Sequence, residues 1–282
     1  MHSFLTRDGI APEAFRRAAH DELARYPSVT FCAAEVTGAV RGSNGCFSIS
    51  LGKRRRVRAR KLLIATGVFD HLPTIEGIER FFGTSVFQCP YCDGWELRDA
   101  SIAVYGKRRR GYEMARALTA WSRDLVLCTD GAAMLSAAQR THLQRNGIPL
   151  VEERIERVAG TGGQLREIIF RSGRRLERSA LFFDTASSGQ SKLAESLGCQ
   201  FARHGGIKCG QYEATSVPGV FVAGNIIRDV QLAIVAAAEG TRAAFGINRA
   251  LTREDFERRA TGSRRIQHPP LEDAQMQRRR RR

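Results

Sequence analysis

Apolar and polar positions recur along this chain with two different periods, and the switch between them divides it into segments. Over residues 11–25, Phe15, Ala18, Ala19 and Leu23 fall on one face at helical spacing, and Pro12 stands near the start, so a helix is expected there. Short strands follow at Val29–Cys32, Glu35–Val40, Phe47–Leu51 and Val57–Ala65. In the third, Phe47, Ile49 and Leu51 alternate with polar residues, and the turn Gly42-Ser-Asn-Gly45 precedes it. The pattern predicts a small antiparallel meander that ends in a buried strand, Leu62-Leu-Ile-Ala-Thr-Gly67.

Near Gly83 the character changes. A strand at 101–105, a helix over about 111–122, a strand at Leu125–Cys128 and a helix over about 132–145 read as βαβα. Strands near 149–152, 166–171 and 176–183 complete the segment. This order is that of a doubly wound nucleotide-binding domain. Beyond about residue 190 the chain is irregular up to a strand at Val220–Ala223, which leads into Gly224-Asn225. A helix of small residues then spans about 230–250, and the charged tail after Thr252 has no periodicity.

The longest apolar stretch, Val230 to Ala238, is far short of the roughly 20 residues that span a bilayer. The first residues lack the charged-then-apolar order of a signal peptide, so a cytoplasmic location is expected. Seven scattered cysteines with one close pair do not form a secreted disulfide framework. The formal net charge is +16, but of the 45 basic residues only five are lysine. That skew reads as composition and solvated surface rather than as a polyanion site. A nucleic-acid partner would have to use the runs Lys53–Arg56, Lys107–Arg110 and Arg278–Arg282, and no nucleic-acid-binding motif accompanies them.

The close pair carries the chemistry. In Cys89-Pro90-Tyr91-Cys92-Asp93-Gly94, two thiols can close and reopen a disulfide, and the adjoining carboxylate can move the proton that exchange needs. A zinc half-site is the competing reading and needs two more ligands. Cys199, His204 and Cys209 are the other cluster, and their spacing matches no common zinc pattern, so no metal is expected. Inert thiols are the third reading. Downstream, Gly106-Lys-Arg-Arg-Arg-Gly111 follows a strand and opens a helix. The dinucleotide fingerprint needs a second glycine where Arg108 stands, because backbone must approach a pyrophosphate there. Asp130 falls roughly where a ribose-binding acid would lie.

Cys-x-x-Cys-Asp-Gly ahead of a dinucleotide-type domain, with Ile64-Ala-Thr-Gly67 upstream and Val220-Phe-Val-Ala-Gly-Asn225 downstream, resembles the thioredoxin reductase-like flavoproteins. The longer string Cys89–Glu96 is similar to a branch of that family that includes dithiol oxidases. The resemblance covers roughly residues 1–252. It implies an α/β fold of two Rossmann-like (ββα sandwich) domains. The first, residues 1–85 and 190–252, is an FAD-type domain, discontinuous and truncated at its N-terminus. The second, residues 86–189, is an NAD(P)-type domain that carries the cysteines, and residues 253–282 form a basic, disordered tail. It further implies that Cys92 faces the flavin, Cys89 meets the substrate and Asp93 is the general acid/base. Ala65, Thr66 and Gly67 lie against FAD, Gly224 and Asn225 hold its ribityl–pyrophosphate region, and Gln231 approaches the ring. Gly106 and Gly111 belong to the NAD(P)-type turn.

The chain departs from the family pattern in three places. Residues 1–10 resemble the segment just after the strand, glycine-rich turn and helix that hold the ADP half of FAD, so that unit, about 50 residues, is expected to be lacking. Asn225 stands where an acid is usual. Thr129-Asp130-Gly131 replaces the paired arginines used for NADPH, which suits a member that does not use NAD(P)H. The expected function is flavin-dependent thiol–disulfide exchange with a small-molecule dithiol or disulfide, or a thioredoxin-like protein, by a homodimer. A fragmentary remnant without flavin and a basic nucleic-acid-binding protein are the rival expectations.

Overall fold

The computed structural model describes residues 1–184, 191–203, 205–227 and 230–261. Residues 10–68 carry α1 (Pro12–Leu23), β1 (Val36–Arg41), β2 (Phe47–Leu51), β3 (Arg55–Ala59) and β4 (Leu62–Ile64). Residues 69–188 carry β5 (Val86–Phe87), α2 (Pro90–Asp93), β6 (Ile102–Tyr105), α3 (Arg108–Leu118), β7 (Leu125–Cys128), α4 (Ala137–Arg145), β8 (Leu150–Val151), β9 (Ile155–Thr161), β10 (Gln164–Phe170), β11 (Arg175–Glu177) and β12 (Ala180–Phe183). The remainder carries α5 (Lys192–Ser196), β13 (Val220–Val222) and α6 (Ala233–Ala260). The chain forms two compact units, Met1–Gly9 with Phe69–Ser188 (unit 1) and Ile10–Val68 with Gly189–Arg282 (unit 2).

Unit 1 is built on a parallel sheet in the order β5-β12-β6-β7-β8. Its inner strands are apolar without interruption, as a sheet covered on both faces requires. Alternate residues go to opposite faces. Ala103, Val126, Leu181 and Phe183 pack on Val158, Leu165 and Ile168 of the antiparallel sheet β9-β10-β11. Ile102, Val104, Leu127 and Phe182 pack on Ala115 and Leu118 of α3 and on Leu143 of α4. The result is the ββα sandwich that the resemblance implies. Residues 75–81 also belong here, because Ile75, Ile78 and Phe81 are buried against Val158 and Ile168. The segment 69–85, expected with the FAD-type domain, therefore packs in unit 1.

Unit 2 repeats the layering on a smaller scale. The meander β1-β2-β3 packs Ala39, Phe47 and Ile49 on Ile64, Val220 and Val222 of the parallel pair β4-β13. Full burial of a side chain such as Phe47 contributes roughly 1.5–3 kcal/mol. The other face of the pair meets α6 through Phe221, Ala223 and Ala243. Among the described residues, β4 pairs with β13 and with no other strand.

Several elements differ from the sequence expectations. Residues 29–32 form no strand. Residues 57–65 are two strands in different sheets, separated by Arg60 and Lys61. The strand β9 was not expected. The helix expected from about 132 starts at Ala137, because Ser136 and Gln139 form a reciprocal capping box at that point. The helix α6 runs to Ala260, so residues 253–260 of the expected disordered tail are helical. Residues 262–282 lie outside the described residues. No described helix is long and apolar enough to cross a membrane.

Candidate active site

Cys89 and Cys92 are joined as a disulfide. The strand β5 ends one residue before Gln88, and Cys89, in extended conformation, caps the four-residue helix α2 with Pro90 at its first position. The N–H groups of Cys92 and Asp93 donate to the Cys89 carbonyl at 3.1 and 3.3 Å, which folds the pair into one turn. Gly94 permits this turn to sit where it does. A Cβ there would lie 2.4 Å from the Pro90 carbonyl oxygen and 2.5 Å from the Trp121 ring. Glycine at position 94 is thus a packing requirement.

Asp93 is half-buried in unit 1. Burial pushes its carboxyl above the ordinary range, the chain's amino terminus and His2 pull it down, and Glu96 pushes it up. An acid with a raised pKa can hold a proton for delivery to a departing thiolate. His2 is the neighbour that sequence reading missed. Its Nδ1 lies 3.2 Å from Asp8 Oδ2 and its Nε2 lies 3.3 Å from Glu96 Oε1. A residue some 90 positions upstream gives no local pattern that could reveal it. Beside the pair, Tyr91 and Trp95 are 69% and 60% exposed, and the Arg98 guanidinium stacks 4.7 Å from the Trp95 ring centre.

The turn after β6 keeps the backbone of a dinucleotide fingerprint. A Cβ on Gly111 would lie 2.3 Å from the Gly106 oxygen, so strand and helix touch there through two glycines. Arg108 adopts φ 54, a left-handed conformation that favours glycine. Its N–H donates to the Ala133 carbonyl at 2.9 Å. That donor is therefore committed within the protein. Asp130 accepts the Ile155 N–H on Oδ1 at 2.9 Å.

In unit 2 the remaining candidates share one edge. Register pairs Ile64 with Val222, so Ala65-Thr66-Gly67 and Gly224-Asn225 both follow the carboxyl ends of adjacent parallel strands. Ligands of open α/β sheets bind at such an edge. Ala65 and Thr66 are exposed, and the space where a Gly67 Cβ would point is open. Gln231 is exposed just before α6, and the Glu239 carboxylate accepts the Gly224 N–H at 2.6 Å. These residues fit the flavin and ribityl end of an FAD. Among the described residues, unit 2 holds no glycine-rich strand–turn–helix for the pyrophosphate.

Among the described residues, no group of three potential ligands could hold a metal ion. Cys199 is buried 3.7 Å from the Thr215 hydroxyl, Cys209 is exposed, and His204 lies outside the described residues.

Comparison with known proteins places these features in context. A model of the pyridine nucleotide-disulphide oxidoreductase family matches residues 4–240. Thioredoxin reductase tcpT of Claviceps purpurea is 28% identical over 238 residues, covering 80% of this chain and 73% of that protein. A probable thioredoxin reductase of Arthroderma benhamiae is 30% identical over 136 residues, which is 46% of this chain, and the match spans 34% of that relative's length. The crystal structure of HlmI superposes with a TM-score of 0.88 at 30% identity, covering 93% of this chain and 83% of that one.

Proposed function

Because the chain belongs to the pyridine nucleotide-disulphide oxidoreductase family, we propose that it is a flavin-dependent thiol–disulfide oxidoreductase whose working pair is Cys89 and Cys92. One observation carries the reading: the two sulfurs are bonded on a single turn, directly before a half-buried carboxyl whose pKa is raised by burial.

In the oxidising direction a substrate thiolate attacks Cys89 Sγ. The Cys89–Cys92 bond breaks, and Cys92 takes its electron pair as a thiolate. Asp93, whose pKa burial raises, supplies the proton. The second substrate thiol then passes its proton to the Asp93 carboxylate and attacks the substrate sulfur of the mixed disulfide, which releases Cys89 as a thiolate that takes a proton from water. The substrate leaves as a disulfide, and the protein holds the two electrons and two protons as a dithiol. Reduction of a substrate disulfide is the same sequence reversed. FAD, when bound, supplies the two-electron acceptor or donor that resets the pair. Ala65, Thr66, Gly67, Gly224, Asn225 and Gln231 would hold its flavin and ribityl end.

The substrate is a dithiol or its disulfide. The relatives named thioredoxin reductases support a protein disulfide, and a small molecule suits the same pair. Two features favour an electron partner other than NAD(P)H. Arg108 stands at the phosphate-approach position with its N–H committed to Ala133, and Thr129-Asp130-Gly131 follows β7.

The test is the visible spectrum of the purified full chain after FAD is added and the excess removed by gel filtration. A retained flavin spectrum that dithiothreitol bleaches in the wild type and not in Cys92→Ser is the expected result. A colourless protein, or bleaching indifferent to Cys92→Ser, would leave the motifs as a record of ancestry and overturn the reading.

A further inference from the structure

Arg60 and Lys61 immediately precede β4, and Pro218 and Gly219 immediately precede β13. They stand at the amino ends of the parallel pair, the opposite edge from Ala65–Gly67 and Gly224–Asn225. A cavity of about 430 Å³ opens here, closed by the β1–β2 turn and by the last turns of α6. Five cationic side chains line it: Arg41, Arg60, Lys61, Arg253 and Arg258. Glu254 is the single lining carboxylate.

The charges do not cancel. Arg60 reaches Glu254 at 2.9 Å and Asp255 at 2.8 Å, and Lys61 also pairs with Glu254. Two carboxylates thus serve the two cations that form the floor, which are 16% and 12% exposed. Three guanidinium groups remain. Arg253 comes no nearer than 3.9 Å to Glu257. Arg41 and Arg258 enter no ion pair among the described residues, although Arg258 is half-buried. Arg60 Nε is buried and has no hydrogen-bond partner. Like charges gathered around a concave surface repel one another, and a bound anion would relieve that repulsion. Arginine forks match phosphate oxygens in pairs. Pro218, Phe221 and Ala250 add an apolar wall.

We propose that this cavity is a binding site for a small phosphate-bearing molecule, separate from the redox chemistry. Arg41, Arg253 and Arg258 hold the phosphate oxygens, and the apolar wall accepts the organic part. A phosphomonoester or pyrophosphate carries the two or more negative charges that Arg41, Arg258 and the weakly paired Arg253 call for. A single carboxylate would leave most of that charge uncompensated.

Calorimetric titration of the full chain with inorganic pyrophosphate, in about 0.1 M NaCl, tests it. One saturating site is expected. Arg41→Gln and Arg258→Gln should each weaken binding by about tenfold or more, and Arg258→Lys should recover part of the loss. Arg109→Gln, on the unit 1 turn, should change nothing. Heats that never saturate, or a loss with Arg109→Gln equal to that with Arg258→Gln, would overturn the proposal. So would a single-stranded oligonucleotide that binds tighter than pyrophosphate with steep salt dependence, since that marks a diffuse polyanion surface. Arg41 and Arg258 support no ion pair, so these variants should melt with the wild type. If one does not, a pyrophosphate-induced rise in melting temperature, present in the wild type and absent in Arg253→Gln, decides the matter. Equal rises in both would sink the idea.

Discussion

His2 Nε2 lies 3.3 Å from Oε1 of Glu96, three residues beyond Asp93, while its Nδ1 lies 3.2 Å from Asp8. The contact ties the first residues of unit 1 to the turn that follows the Cys89–Cys92 disulfide. His2 is also one of two groups that pull the Asp93 pKa down against burial. Replacing it by glutamine removes that pull, so the Asp93 pKa should rise further. The measurement is the rate of dithiothreitol reduction of Cys89–Cys92 across pH. The limb governed by Asp93 should move to higher pH in His2→Gln. Stability should change little, by about 0–1 kcal/mol, because the His2–Glu96 contact is partly exposed. A melting transition lowered far more than this, with an unmoved pH profile, would make His2 a structural peg only.

Asp93→Asn should slow thiol exchange by about 100-fold or more, the usual scale for losing a placed acid. Its effect on stability has a definite sign. A carboxyl whose folded pKa lies above its model value of 3.8 costs nothing below that value, where both folded and unfolded chains are protonated. As pH rises through the folded pKa, the folded state bears the cost of ionising a half-buried group. Asparagine is neutral throughout. Melting curves should therefore coincide near pH 3.5 and separate above it, with Asp93→Asn the more stable at neutral pH. Coincident curves at pH 7 would mean that Asp93 is too well solvated to serve as the acid.

What sequence reading reached and missed follows from how far apart the cooperating residues lie. The Cys89–Cys92 turn was legible because Cys89, Cys92, Asp93 and Gly94 fall within six positions. The core strands β6, β7 and β12 were legible because burial on both faces leaves continuous apolar runs. The strand β9, Ile155-Glu-Arg-Val-Ala-Gly-Thr161, was not, because it breaks alternation. Its pairing with β10 shifts register between Ile169 and Phe170, where Glu156 is the extra residue on β9, so no clean period of two survives. The end of α6 was missed because its last turns carry few apolar residues. Their anchors are Arg60 and Lys61, nearly 200 positions upstream. His2 was hidden for the same reason.

Those anchors make the α6 terminus testable. Burial alone would raise the Glu254 pKa, but Lys61 and Arg60 overcome that and hold it below its ordinary 4.5. Such a group stabilises the fold above the unfolded pKa and loses that contribution as pH falls through the folded one. Glu254→Gln should cost roughly 1–3 kcal/mol at neutral pH, since it leaves two cations of low exposure without their shared partner. Amide exchange should quicken over residues 251–260 and not over 233–245. The gap between variant and wild type should narrow as pH falls below 4.5 and close once it passes the folded pKa. Protection unchanged at residues 251–260 would show that packing, not the ion pairs, holds the helix end.

Gly106 and Gly111 give the sharpest packing test. The Gly111 Cβ position lies 2.3 Å from the Gly106 carbonyl oxygen and 2.5 Å from its carbon. Backbone atoms cannot turn aside as a flexible side chain can, so β6 and α3 must separate if any Cβ is added. Overpacking of this kind costs roughly 1–3 kcal/mol or more. Gly111→Ala should lower the melting temperature of the full chain by about 5–10 °C. In an exposed helix interior the same change would be stabilising by up to about 1 kcal/mol, so the sign of the shift separates the two situations. Retained or raised stability would mean that the strand and helix can move apart at this turn. Loss of stability with Cys89–Cys92 reduction unchanged would confine the role of these glycines to holding the fold.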